Sequence, residues 1–79
     1  MKDSAGKFIR KARERADLNQ TALAKVLGYH TSQYISDWER DKYRVPLDKI
    51  EPIAKILGIS SRDLLFVCYP EVKKILSEK

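Results

Sequence analysis

Apolar residues recur along this chain at intervals of three and four, and nowhere in strict alternation, which is the pattern of amphipathic helices rather than strands. Ser4 can cap a first helix running to about Arg15, with Ile9, Ala12 and Ala16 on one face. Asn19 can cap a second, from Gln20 to Leu27, turning Leu23, Ala24 and Leu27 inward, and Gly28 supplies its left-handed stop. Thr31 predicts the cap of a third, over residues 32–40, that buries Ile35 and Trp38. A fourth runs to about Leu57. Asp48 and Glu51 have capping-box spacing there, which puts Pro52 in the first turn, where a missing N–H does least harm. Gly58 ends it. Ser60 and Asp63 predict a second capping box, with Ile59 and Leu64 as its hydrophobic staple, before a fifth helix over residues 62–67. Pro70 can open a short sixth over residues 71–77, with Val72, Ile75 and Leu76 apolar.

The expectation is therefore an all-α fold of five short helices with a short sixth: one domain over residues 1–69 and a tail over 70–79. Such bundles host many functions, so the fold alone decides none. Charge adds a hint. The net charge is +5, and most of the excess lies early. Lys2, Lys7, Arg10, Lys11, Arg13 and Arg15 stand against Asp3 and Glu14. A basic segment attracts polyanions, although many such helices are only solvated surfaces. The one cysteine, Cys68, allows no internal disulfide or metal cluster and sits among Leu65, Phe66 and Val67, as a packed thiol does. No apolar run approaches a bilayer-spanning length and no signal peptide opens the chain, so a cytosolic protein is expected.

Residues 19–44 carry the most information. Two short helices are joined by a tight glycine turn, a small residue (Ala24) precedes Gly28 by four, and Ile35 with Trp38 pins the second helix to the core. These are the requirements of a helix-turn-helix, which offers its second helix to the major groove of DNA.

Three segments in order, GKFIRKARERADLNQTALAKVLG, YISDWERDKYRVP and IAKILGISSRDLL, resemble the Cro/repressor class of helix-turn-helix, also called the XRE family. The likeness covers about Ala5 to Leu65. It implies a repressor-like domain that binds double-stranded DNA as a homodimer. By position it also implies a phosphate contact from Gln20 at the start of the second helix, and an ion pair between Arg13 and Glu39. The outward residues near the start of the third helix, Ser32, Gln33, Ser36 and Asp37, are the base readers it implies, with Thr31 and Tyr34 beside them. Gln33 suits adenine and Asp37 can accept from cytosine N4, although an acid near phosphates repels and Asp37 has Arg40 to pair with instead. Tyr34 can stack on a sugar or a thymine methyl, or join the core. Arg40, Lys42, Tyr43 and Arg44 fall where the family meets the DNA backbone.

Three departures stand out. There is one extra residue around Tyr29-His30-Thr31, which shifts the third helix by a position. Asp41 replaces the family's glycine after Glu39-Arg40, although it tolerates left-handed backbone less well. Phe8 sits where the family is often polar and, with Val72, Ile75 and Leu76, offers a partner surface.

An enzyme is not expected. His30 lacks companions for a metal or a catalytic pair, and there is no glycine-rich phosphate loop, no paired carboxylates and no cofactor motif. The expected function is a sequence-specific regulator, a repressor, reading a short palindromic operator. The alternative is an antitoxin or adaptor on the same scaffold whose main partner is a protein. In size the chain is similar to phage Cro-like repressors and to the controller proteins of restriction–modification systems.

Overall fold

A computed structural model describes residues 3–77. Helix α1 (Ala5–Arg15) starts where the Ser4 hydroxyl accepts the Lys7 N–H at 3.1 Å. Helix α2 (Gln20–Val26) starts where Asn19 Oδ1 accepts the Ala22 N–H at 2.7 Å. These are followed by α3 (Gln33–Glu39), α4 (Leu47–Leu57), α5 (Ser61–Cys68) and α6 (Pro70–Ser77). Among the described residues there are six helices and no strand. The tail thus forms a full sixth helix, where five plus a short addition were expected.

One device ends α1 to α4. In each, a residue one or two positions past the last helical one is left-handed, at Asp17 (φ 62°), Gly28 (φ 86°), Asp41 (φ 60°) and Gly58 (φ 67°). In each, the next N–H reaches back five residues: Leu18 to Arg13 O, Tyr29 to Ala24 O, Lys42 to Asp37 O and Ile59 to Ala54 O. This closure satisfies carbonyls that a helix end otherwise leaves bare, and glycine enters it without strain. An aspartate there carries about 1–2 kcal/mol of backbone strain. At Asp41 the strain is offset, because Asp41 Oδ1 accepts the Gly6 N–H of α1 at 2.8 Å. The residue that replaces the family's glycine therefore caps another helix.

Gly6 explains the closeness of that approach. A Cβ at this position would lie 2.4 Å from the Glu39 carbonyl oxygen and 2.6 Å from that of Trp38. Only glycine lets the first turn of α1 rest on the end of α3.

Ile9, Leu23, Ile35, Val45, Ile53 and Leu64 are fully buried, so every element from α1 to α5 gives the core at least one side chain. Each such burial contributes about 1.5–3 kcal/mol. Val45 carries the connection between α3 and α4 into the core, and the Tyr69 hydroxyl donates to its carbonyl at 2.7 Å. The tail helix α6 packs on α5. Cys68 is buried, and burial pushes its thiol up to about 11, which suits a packed group rather than a reactive one.

Several helix ends lie a residue from expectation, and two helix starts differ in their chemistry. Helix α3 begins at Gln33 with Ser32 at its cap position, one residue later than predicted. The Ser32 side chain makes no cap bond, while the Thr31 hydroxyl accepts the Gln33 N–H at 3.2 Å. Helix α4 begins at Leu47, straight after Pro46, so Asp48 lies inside its first turn and forms no capping box. Pro52 consequently sits in the second turn, where it leaves one helical carbonyl without its usual donor. That carbonyl belongs to Asp48, and both it and Pro52 are exposed, so water can reach it. Phe8 is half-buried against the core, while Ile75 and Leu76 of the tail are exposed.

Candidate nucleic-acid interface

Helix α3 is held from behind by one carboxylate. Glu39 Oε2 accepts from Arg13 Nε at 2.6 Å, and Oε1 accepts from Arg13 Nη2 and Gln20 Nε2, both at 3.0 Å. Arg13 also donates to the Leu18 carbonyl at 2.9 Å. Arg13 and Glu39 side chains are only 10% and 5% exposed. Their fork-to-fork pairing is the strong form of an ion pair, and the bond to Glu39 raises the Arg13 pKa. Three elements thus meet at one point: the end of α1, the start of α2 and the end of α3. The expected Arg13–Glu39 pair is present. Gln20, expected at a phosphate, spends one N–H of its amide on this clamp.

Helical spacing puts Gln33, Ser36, Asp37 and Arg40 on the opposite, outward side of α3. Gln33 and Arg40 are exposed, and Ser32 and Ser36 are half-buried. Asp37 departs from expectation, being only 8% exposed. Gln33 Nε2 and Arg40 Nη2 each donate to Asp37 Oδ1 at 2.8 Å, so the two longer side chains close over it from the turns before and after. These bonds, Gln33's first, hold the Asp37 carboxyl below its ordinary pKa. The pairing with Arg40 weighed from the sequence is formed. The i,i+4 and i,i+3 spacings were the signal for the shared arrangement, which was not read as a unit.

Tyr34 is 51% exposed and stacks on Tyr29 at 4.5 Å, and Tyr29 meets Trp38 edge-on at 5.9 Å. The extra residue in the turn therefore belongs to a segment whose tyrosine carries the core outward beneath Tyr34, and Lys49 lies over the same Tyr29 ring at 5.4 Å. Thr31, Lys42 and Tyr43 are exposed beside α3. Arg44 is exposed too, but is engaged by the tail: it pairs with Glu71 and lies over the Tyr69 ring at 4.8 Å. The early basic run is less available than its count implies, since Lys11 pairs with Asp3, Arg10 with Glu14 and Arg13 with Glu39.

Two inward-braced helices with the second presented outward, a glycine turn between them and basic residues after them define a helix-turn-helix. The helix-turn-helix family model matches residues 9–64, and the chain belongs to this family in its XRE-type form. It is a DNA-binding protein of transcription regulation. It is similar to the control protein C.BamHI of Bacillus amyloliquefaciens, with 41% identity over 61 residues, covering 76% of this chain and 74% of that protein. No solved structure matches. Among the described residues no helix is long and apolar enough to cross a membrane.

Proposed function

We propose that the chain is a repressor that reads a short palindromic operator as a homodimer, through the outward face of α3. The observation that carries this reading is the face itself: Gln33, Ser36 and Arg40 are presented side by side on a helix whose back is clamped by Glu39. Gln33 is the base reader, and Thr31, Ser32, Tyr34 and Ser36 flank it at the groove. Gln20, Arg40, Lys42, Tyr43 and Arg44 meet the backbone, Gln20 through the amide hydrogen left over from the clamp. Asp37 belongs to the same face in a supporting place.

One such helix spans only a few base pairs, so two copies with half-sites about 34 Å apart supply the rest. The surface for the second copy is the apolar groove of Leu47, Ile50, Leu65, Phe66 and Leu76 between α4, α5 and α6. Leu47 and Leu76 are 62% and 60% exposed there. Glu51 and Arg62 line the same groove, so a two-fold contact can set the acid of one copy against the base of the other. A cytoplasmic location completes the reading.

Selection of bound sequences from a random duplex pool at physiological salt, with the mass in solution measured by light scattering, is the test. An enriched palindrome and a dimer are expected. A monomer that enriches no sequence would overturn the reading and favour the adaptor alternative, with the groove taking a protein partner.

A further inference from the structure

We propose that Asp37 is a positioning residue rather than a base reader: it fixes the way Gln33 presents its amide and thereby sets the base preference of α3. The inference rests on the DNA-reading function above and adds the residue that gives it selectivity.

A carboxylate can only accept hydrogen bonds, so the Gln33 group that faces Asp37 must be its NH₂, as the 2.8 Å contact of Nε2 to Oδ1 shows. Rotating the amide by half a turn would set Oε1 against the carboxylate, oxygen to oxygen, with no proton between them. One orientation is therefore locked. An amide carries two N–H bonds, and only one of them, together with Oε1, forms the edge that pairs with adenine N7 and N6. Asp37 accepts a single bond from the amide, and in the proposed arrangement it is from the other N–H. The pairing edge is left intact and pre-oriented, so the pairing does not have to select one of two flips.

The same oxygen holds Arg40 Nη2 at 2.8 Å, and Arg40 Nε lies 3.4 Å from the Ser36 carbonyl. Arg40 and Asp37 neutralise each other on the surface that meets the phosphates. An unpartnered acid at this place would repel DNA, whereas this one is covered and paired. The bracket thus lowers non-specific attraction while sharpening the adenine contact, and both changes favour discrimination.

This sets apart a positioning role from a structural one. Losing a structural residue lowers affinity for all DNA. Losing Asp37 should lower preference while affinity for random DNA holds or rises, because Arg40 is released toward phosphate. The experiment is duplex-pool selection followed by titrations at several salt concentrations, with wild type, Asp37→Ala and Asp37→Asn. Wild type should prefer adenine over guanine about 5- to 100-fold at one position of each half-site. In Asp37→Ala that ratio should fall toward one, and the slope of log affinity for random duplex against log salt should steepen by up to about 0.9. Asp37→Asn, which keeps the size and offers either an acceptor or a donor, should lie between. It carries the test if the alanine variant does not fold. An adenine preference that survives in both variants overturns the inference alone. A wild-type chain that enriches no sequence overturns the DNA-reading function and this inference with it.

Discussion

The protein uses one chemical trio twice. On the inner side of the helix-turn-helix, Arg13 and Gln20 converge on Glu39; on the outer side, Arg40 and Gln33 converge on Asp37. Each trio is an arginine, a glutamine and a shared carboxylate. The inner members come from three helices, and the Arg13 and Glu39 side chains are at most 10% exposed. The outer members lie within two turns of one helix, with the Arg40 side chain 59% exposed. Position decides what the same chemistry does. Between helices, away from water, the trio fixes how α1, α2 and α3 sit together. On a single helix, at the surface, it links no two elements, so it can hold little of the fold and instead orders the side chains that face outward.

The inner trio should therefore be the place where the molecule breaks. Arg13→Ala leaves the Glu39 carboxylate covered with only Gln20 to satisfy it, and removing one partner of a buried pair is far worse than never having the pair. A loss of about 3 kcal/mol is expected, and on a chain of this size a fall in Tm of roughly 12–24 °C, read by thermal circular dichroism. Asp37→Ala in the same assay should leave Tm nearly in place. Equal losses in the two variants would erase the distinction between clamp and bracket.

The clamp can also be forced from its far end. Gly6→Ala places a Cβ 2.4 Å from a backbone oxygen that cannot rotate away, so α1 must lift off α3. The expected loss is about 2 kcal/mol by denaturant titration, even though alanine favours the helix itself. Asp41 gives a finer cut. Asp41→Ala keeps the left-handed strain and loses the bond to Gly6, for about 1–2 kcal/mol. Asp41→Gly loses the bond and the strain together, so it should come out near neutral. A large loss in the glycine variant would mean that the bond to Gly6 outweighs the strain.

These residues also show what the sequence could and could not disclose. Helices α1, α2, α5 and α6 were legible because their start signals are local: a hydroxyl, amide or proline a few residues from the N–H groups it serves or replaces. Helix α4 was misplaced for the same reason turned round. Asp48 and Glu51 have capping spacing, but buried Val45 anchors the connection and Pro46 passes directly into helix, so the box falls inside it. The pair of Arg13 with Glu39 was reachable through family resemblance alone, being 26 residues apart. The bond from Asp41 to Gly6 spans 35 residues and had no pattern to announce it. Asp37 was read as outward because helical spacing puts it on that side. Its cover depends on how two neighbouring side chains bend, which spacing does not encode.

The smallest effect concerns that cover directly. The Asp37 carboxyl titrates below 3.8, held down first by the hydrogen bond from Gln33 and then by Arg40. A depressed pKa means that the bracket is formed at neutral pH and is lost as pH falls through the lower, folded-state value. In an NMR titration the Gln33 side-chain amide signals should move together with the Asp37 carboxyl carbon, at a pH below that of an ordinary aspartate. The order of causes makes a sharper expectation. Both donors reach the same carboxylate oxygen at 2.8 Å, but the Arg40 side chain is 59% exposed, so water competes for its bond and screens its field. Gln33→Ala should raise the Asp37 midpoint more than Arg40→Ala does. The reverse order would assign the outer trio to charge rather than to hydrogen bonding, and would remove the reason for Gln33 to present a single face.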